Sequence, residues 1–196
     1  MITAVTGNIA AGKSSAVNVM RELGCEVIDA DEIYHELTAK GGALCRAIAS
    51  EWGDGVLSSD GSVDRRALSS VVLQSPERLA RLNAITHPEI IAEIRRRISE
   101  SCSDEVVLEI PLLFESGCAG MADRIWLVDA DRDVRMRRLM ARNSLTEEEA
   151  LRRMSLQREV DPGLCDAVIL NNGTVDDLRA AVSALLLGDG KNDGKG

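Results

Sequence analysis

A glycine-rich loop near the start of the chain constrains the fold more than any other feature of its 196 residues. The run from Gly7 to Ser14 satisfies the pattern GxxxxGK[ST], between the β-branched segment Ile2–Thr6 and a segment with helical spacing, Ser14–Leu23. Backbone amides in such a loop, together with the positive end of the helix, bind phosphate groups. The predicted nucleotide-binding residues are Asn8, Ala10, Ala11, Gly12, Lys13, Ser14 and Ser15. The alternative, a chance match in a loop, is disfavoured by the strand and helix on either side.

Two residues of this loop have distinct expected roles. The lysine of such a loop meets the β and γ phosphates, and the hydroxyl after it meets Mg²⁺, so we assign these roles to Lys13 and Ser14. ATP and Mg²⁺ are therefore the expected ligands. The loop predicts a nucleotide but leaves the reaction open.

Further short apolar runs predict the rest of a sheet. They are Glu26–Ile28, Val106–Ile110, Ile125–Val128 and Ala167–Leu170. With Ile2–Thr6 they predict an α/β fold with five parallel strands, whose consecutive strands are joined by helices. We place the core at residues 1–33, 104–130 and 165–187, a mainly helical insert at about 34–103 and a helical pair at about 131–164. The polar tail 188–196 is predicted to be disordered.

Two aspartates, Asp29 and Asp31, follow the second predicted strand. Alternation along an extended segment puts both carboxylates on one side, at the carboxyl edge of the sheet, where α/β folds bind ligands. Asp31 is our candidate for the base that accepts the proton of a substrate hydroxyl. The alternative is that the two aspartates only cap the helix that begins near Glu32. The sequence pattern alone favours the catalytic and the capping hypotheses about equally.

Another acidic residue, Glu109, stands late in the third predicted strand. A carboxylate in this position helps to hold Mg²⁺ through water in enzymes with this type of loop, so Glu109 is a candidate metal-binding residue. The alternative is an ordinary glutamate on a partly solvated face.

Arginine is concentrated between residues 132 and 158, a stretch in which we count eight arginines and four acidic residues. The planar guanidinium group suits phosphate oxygens, so this pair of predicted helices suits a lid over ATP. Arg138 and Arg142 share one helical face at i, i+4 spacing and are the candidates for contact with the transferring phosphoryl group. The alternative is a solvated basic face.

Composition excludes several other classes. A net charge of −9 opposes nonspecific binding to nucleic acid or to an acidic membrane. The five cysteines form no CxxC pair, which argues against a zinc site and a disulfide framework and favours a reducing cytoplasm. No segment approaches the length of a membrane span. His87, before Pro88, is predicted from its neighbours to lie in a turn.

Taken together, several blocks resemble the dephospho-coenzyme A kinase family in order and spacing. Besides the N-terminal loop, they are Val27–Asp31, Asp64–Leu68, Thr86–Pro88, Pro111–Glu115 and Arg138–Arg142. The departures include Ala10, where the family usually has glycine, and Leu170, where it often has aspartate. Alanine at Ala10 implies either a negative φ or a strained loop.

The resemblance implies a three-layer P-loop kinase core, a helical insert that binds dephospho-coenzyme A, and a mobile lid. It implies that Asp31 acts on the ribose 3′-hydroxyl, that Arg138 or Arg142 stabilises the phosphoryl group, and that Arg65 and His87 lie in or near the acceptor pocket. A monomer or weak homo-oligomer is expected. The competing hypotheses are a related kinase with another acceptor and a nucleotide-binding module without catalysis.

Overall fold

The computed structural model describes residues 1–110, 113–114 and 116–189, and these residues form two compact units. The first unit contains residues 1–27 and the described residues from 102 onwards, and the second contains Ile28–Ser101. The first unit thus includes both the predicted lid and most of the predicted core. Pro111, Leu112 and Glu115, which contributed to the family resemblance, lie outside the described residues.

A five-stranded sheet organises the fold. Its strands are β1 (Ile2–Gly7), β2 (Glu26–Asp29), β3 (Val106–Glu109), β4 (Arg124–Asp129) and β5 (Ala167–Leu170), in the order β2-β3-β1-β4-β5. The central strand β1 pairs in parallel with β3 and with β4, and β4 pairs in parallel with β5. These strands lie where the apolar runs predicted them, and the predicted α/β fold with a parallel sheet is confirmed.

Aliphatic side chains build the core of the first unit. Helices α1 (Lys13–Glu22) and α8 (Val175–Asp189) contact each other and contribute to one cluster with the strands. Its fully or almost fully buried members include Val5, Val17, Met20, Val107, Val128, Ile169 and Val182. All four residues of β3 are buried, because a central parallel strand is covered on both faces. This packing holds the carboxyl ends of β1 and β3 at the same edge.

The second unit is mainly helical. Its helices are α2 (Ala30–Thr38), α3 (Ala43–Trp52), α4 (Arg65–Val72) and α5 (Pro76–Glu100). They surround a cluster that includes Leu44, Ile48, Val56, Leu68 and Val72. Gly41 and Gly42 separate α2 from α3, and a turn at Ser58–Gly61 is closed by the Gly61 N–H donating to the Ser58 carbonyl at 2.9 Å.

The predicted turn at His87 is wrong. Thr86, His87 and Pro88 all lie inside the 25-residue helix α5. Proline lacks the N–H that would continue the helical ladder, so the local pattern indicates a break. The helix continues because Thr86 and Ile94, on either side of the proline, are buried. Tertiary packing therefore outweighs the local preference.

The predicted pair of arginine-rich helices is present in the first unit as α6 (Arg132–Asn143) and α7 (Glu147–Leu156). Between them Ser144 adopts a left-handed conformation with φ 51°, which ends α6. Thr146 and Glu149 form a capping box, in which each side chain accepts from the other residue's N–H. Leu139, Ala150 and Met154 form the apolar cluster between the two helices.

The C-terminal helix runs further than predicted. Gly188 and Asp189, assigned from the sequence to a disordered tail, are the last residues of α8. Residues 190–196 of the same predicted tail lie outside the described residues. Among the helices that the structure describes, none is long and apolar enough to cross a membrane.

Candidate active site

The glycine-rich loop occupies residues 8–12, between the end of β1 and the start of α1. Gly7 is required sterically, because a Cβ atom there would lie 2.8 Å from the Val128 carbonyl oxygen of the neighbouring strand. Gly12, the N-cap of α1, has φ 96°, and a Cβ atom there would lie 2.1 Å from Nδ2 of Asn171. The two glycines of the pattern thus permit close packing at one end of the loop and a left-handed turn at the other.

Ala10 adopts φ 61°, so the strained alternative predicted for this position is the one observed. A left-handed conformation costs a residue with a Cβ atom about 1–2 kcal/mol. The methyl group that causes this cost also packs against the apolar cluster between α6 and α7, as does Ile9. The loop is therefore in direct contact with the helix pair that carries the arginines.

Lys13, Ser14 and Glu109 converge at the carboxyl edge of the sheet. Oε1 of Glu109 lies 3.3 Å from Nζ of Lys13 and accepts a hydrogen bond from the Ser14 hydroxyl at 3.3 Å. Glu109 is only 8% exposed, so the alternative of a solvated surface glutamate is wrong. A buried carboxylate held by a lysine and a hydroxyl is a pre-arranged acidic group facing the phosphate loop.

The oxygen donors of this cluster fit Mg²⁺. That ion prefers oxygen ligands and usually takes one or two from the protein, with water and substrate phosphates supplying the others. Ser14 and Glu109 provide this number of oxygen ligands side by side. Among the described residues, no group of three or more acidic, histidine or cysteine side chains is arranged to hold a metal ion.

The side chain of Asn8 has a structural role that the sequence did not reveal. Its Nδ2 donates to Oδ1 of Asp129 at 3.0 Å, and its Oδ1 accepts from the Val160 N–H at 3.0 Å. The residue is 6% exposed. Asn8 was predicted to bind nucleotide, but both ends of its amide already join the loop to the end of β4 and to the segment after α7.

Arg138, Ala141 and Arg142 of α6 line one cleft together with the loop. The cleft has a volume of about 560 Å³, and its other lining residues are Asn8, Ala10, Gly12, Lys13, Ser14 and Ser15. Nη1 of Arg138 donates to the Ala11 carbonyl at 3.3 Å, and Nδ2 of Asn171 donates to the same oxygen at 2.9 Å. Arg138 and Arg142 therefore both line the cleft beside the glycine-rich loop.

Arg135, one turn before Arg138 on α6, has a different role. It is 5% exposed, and its Nε donates to the Ala130 carbonyl at 3.0 Å. Its Nη2 donates to Glu159 at 2.6 Å. The arginine run is thus divided between a buried structural residue and residues that line the cleft.

The remaining candidates belong to the second unit. Oδ1 of Asp29 accepts from the Asp31 N–H at 2.7 Å, so Asp29 is the N-cap of α2, as the capping alternative predicted. The carboxylate of Asp31 is exposed in the first turn of that helix. The two aspartates therefore have different environments, and the exposed carboxylate of Asp31 stays the candidate base.

Arg65 and His87, the predicted acceptor-binding residues, are both exposed. The Arg65 guanidinium group lies over the ring of Tyr34 with its Cζ 5.3 Å from the ring centroid, an attractive cation–π arrangement. Burial raises the pKa of the Tyr34 phenol above its ordinary value. Tyr34 follows Asp31 by three residues on α2, so Arg65 is held beside the helix that carries Asp31.

Three residues near the loop were missed by the sequence analysis: Asp129, Gln157 and Asn171. Oε1 of Gln157 accepts from the Ile9 N–H at 2.6 Å. Asp129 and Asn171 follow from a simple signal, since each stands at the carboxyl end of a predicted strand. Gln157 has no such signal, because only the fold brings it to a loop 148 residues earlier.

Comparison with known proteins gives a consistent result. A model of the family described as "Dephospho-CoA kinase" matches residues 1–177. The dephospho-CoA kinase of Carboxydothermus hydrogenoformans is 38% identical over 190 residues, covering 94% of this chain and 92% of that protein. The enzyme of Geobacillus kaustophilus is 42% identical over 188 residues, covering 93% of each chain. The solved structure of dephospho-CoA kinase from Campylobacter jejuni is 25% identical, with a TM-score of 0.66 and coverage of 95% and 96% of the two chains.

Proposed function

The chain belongs to the dephospho-CoA kinase family, and we propose that it transfers the γ-phosphoryl group of ATP to the ribose 3′-hydroxyl of dephospho-coenzyme A. The products are coenzyme A and ADP, which makes this the last step of coenzyme A synthesis. The observation that carries the proposal is the cleft in which Lys13 and Ser14 of the loop share a wall with Arg138 and Arg142 of α6. A phosphoryl group there is surrounded by cations.

The loop and the arginines divide the work on ATP. Loop amides and Lys13 hold the phosphates, and Arg138 or Arg142 stabilises the charge on the phosphoryl oxygens as the bond to ADP breaks. In the present arrangement Glu109 is the partner of Lys13. A triphosphate replaces that partner, so binding of ATP releases Glu109 from the lysine. The lid helices then exclude water from the transferring group.

Asp31 is the proposed base. Its exposed carboxylate accepts the proton of the 3′-hydroxyl while the hydroxyl oxygen forms the new bond to phosphorus, and the proton then passes to solvent. Arg65 and His87 are the proposed contacts of the acceptor. The stacking of Arg65 on Tyr34 supports this role, because it reduces the freedom that the guanidinium group would lose on binding a phosphate oxygen.

Mg²⁺ is the proposed metal, and the groups that would hold it are the Ser14 hydroxyl and, through water, the Glu109 carboxylate. When bound, the ion neutralises part of the charge on the β and γ phosphates. The cytoplasm, the absence of nucleic-acid and membrane partners, and a monomeric or weakly self-associating state stay predictions from the sequence.

The test is formation of coenzyme A by the purified protein in the presence of MgATP, with and without dephospho-coenzyme A. We expect coenzyme A and ADP to appear in equal amounts. Faster turnover of another hydroxyl acceptor would replace the assignment by a related kinase. Binding of ATP without acceptor-dependent turnover would instead leave a nucleotide-binding module.

The role of Asp31 has its own test. Asp31→Asn keeps the size of the side chain and removes the base, so we expect kcat to fall by about 10²–10⁴ with ATP affinity little changed. Glu32→Gln is the matched control, because Glu32 is an exposed carboxylate in the same first turn of α2. Retention of full activity by Asp31→Asn would reject the assignment.

A further inference from the structure

The segment after α7 is fastened to the glycine-rich loop by two hydrogen bonds. Oε1 of Gln157, the C-cap of α7, accepts from the Ile9 N–H at 2.6 Å. Three residues later the Val160 N–H donates to Oδ1 of Asn8 at 3.0 Å. In one bond a side chain of the segment accepts from the loop backbone, and in the other a side chain of the loop accepts from the backbone of the segment. We call this pair of bonds the clasp.

Apolar packing joins the same two parts of the chain. Ile9 and Ala10 lie against the cluster of Leu139, Ala150 and Met154 between α6 and α7. The clasp and the apolar packing thus hold neighbouring residues of the loop against α6, α7 and the segment that follows α7. The loop and the helices therefore move as one body while both contacts persist.

The bond to Gln157 has a particular consequence for the loop. It fixes the direction of the Ile9 N–H immediately before Ala10, whose φ of 61° is unfavourable for an alanine. Without the side-chain amide oxygen of Gln157 as an acceptor, the loop can relieve this strain by turning away from α6. Transfer depends on the placement of the arginines relative to the phosphates, and an error of about 1 Å in such a placement can cost about 10²-fold in rate.

We propose that Gln157 is a positioning residue for phosphoryl transfer: through the clasp it holds the loop and α6 in the register that brings Arg138 and Arg142 to the transferring group. The proposal rests on the proposed function, because it assumes that these arginines act on the phosphoryl group. Asn8 is the second member of the clasp. Gln157 itself is not among the residues that line the cleft with the loop.

The first test compares three variants by steady-state kinetics. Gln157→Ala removes the acceptor, and we expect kcat to fall about 10-fold to 100-fold with the KM for ATP nearly unchanged. Gln157→Glu keeps an acceptor of the same length, and we expect it to recover most of the lost kcat. The repulsion between its added charge and the phosphates weakens with salt, so the comparison is made at high ionic strength. Leu156→Ala, at a neighbouring side chain that is 77% exposed, is the matched control and should retain the wild-type kcat.

The second test asks whether Gln157 acts through the arginines. In a variant that carries both Arg138→Met and Arg142→Met, the further change Gln157→Ala should have little effect on single-turnover transfer. A full additional loss would mean that Gln157 acts independently of the two arginines, and would overturn the positioning role. So would an unchanged kcat in Gln157→Ala, or a loss in Gln157→Glu equal to that of the alanine variant. If the wild-type chain forms no coenzyme A, the proposed function fails first and the positioning role fails with it.

Discussion

Arg135 offers a sharp test of how the arginines of α6 are divided between structure and catalysis. The change is Arg135→Met, which keeps the apolar stem of the side chain and removes its charge. Arg135 is 5% exposed, and its guanidinium group donates to the Ala130 carbonyl and to Glu159. Oδ1 of Asp129 lies 3.7 Å from its Nε. We expect the folded state to lose stability.

The size of the expected loss of stability follows from the partners of Arg135. Hydrogen bonds made by a charged group contribute about 1.5–3 kcal/mol, and the bond to the Ala130 carbonyl is the buried one. Glu159 has a side chain that is 67% exposed, so water replaces its lost partner and it adds little. We therefore expect a loss of about 2 kcal/mol. For a chain of this size the loss corresponds to a fall in Tm of about 4–8 °C.

The matched control is Arg142→Met on the same helix. Arg142 is exposed, and its Nε donates to the neighbouring side chain of Asn143 at 3.1 Å. We expect its free energy of unfolding to change by about 0.5 kcal/mol or less. If Arg142 contacts the transferring group, kcat should fall by at least about 10².

Thermal unfolding without nucleotide, followed by circular dichroism, measures the first effect, and steady-state formation of coenzyme A measures the second. Unfolding of Arg135→Met at the wild-type temperature, or a lower stability of Arg142→Met than of Arg135→Met, would refute this division of the α6 arginines.

Three further predictions concern stability. Hydrogen bonds from Arg96 and Arg97 hold the pKa of Glu93 at about 2, below its ordinary 4.5. The ionised Glu93 therefore contributes fully to the free energy of unfolding above pH 4.5, and this contribution is lost as the pH falls through 2. In urea denaturation, the free energy of unfolding of Glu93→Gln should be lower than that of the wild type by up to about 1 kcal/mol at pH 7, and by less at pH 3. Gly7→Ala places a Cβ atom 2.8 Å from the Val128 carbonyl oxygen, and the resulting shift should cost about 1–3 kcal/mol in thermal unfolding and weaken ATP binding in a titration. Thr146→Ala removes the capping box of α7 and should cost about 0.5–2 kcal/mol by urea denaturation, whereas Thr146→Ser should cost much less.

Much of the site could be predicted because its signals are local. The glycine-rich loop, its strand and its helix occupy one continuous stretch, Ile2–Glu22, and the conformations of Gly12 and Lys13 depend mainly on their neighbours. The capping box of Thr146 and Glu149 spans four residues. The buried strands could be recognised because both faces of a parallel sheet are covered, which leaves an unbroken apolar run.

Other features could not be predicted because local patterns contained no information about them or indicated the opposite. Pro88 indicates a turn, yet it lies within α5 because burial on both sides of it outweighs the missing hydrogen bond. Asn8 resembles any polar residue of a phosphate loop, and only the structure shows that Asp129 and Val160 occupy both ends of its amide. The i, i+4 spacing singled out Arg138 and Arg142 from the arginine run, but only the structure shows that Arg135 is buried and donates to the Ala130 carbonyl.

Sequence alone was sufficient for the type of sheet, the position of the nucleotide loop and the family, because hydrophobic period, glycine spacing and capping residues act over a few neighbouring positions. Tertiary structure decided which of the alternatives open at each residue was realised: that Glu109 is buried beside Lys13 and Ser14, that Asp29 caps a helix, and that Gln157 reaches Ile9. These pairings join residues up to 148 positions apart in the sequence, apart from the local cap at Asp29. Their partners are selected by the free energy of burying and satisfying polar groups in the folded core, which no local pattern encodes.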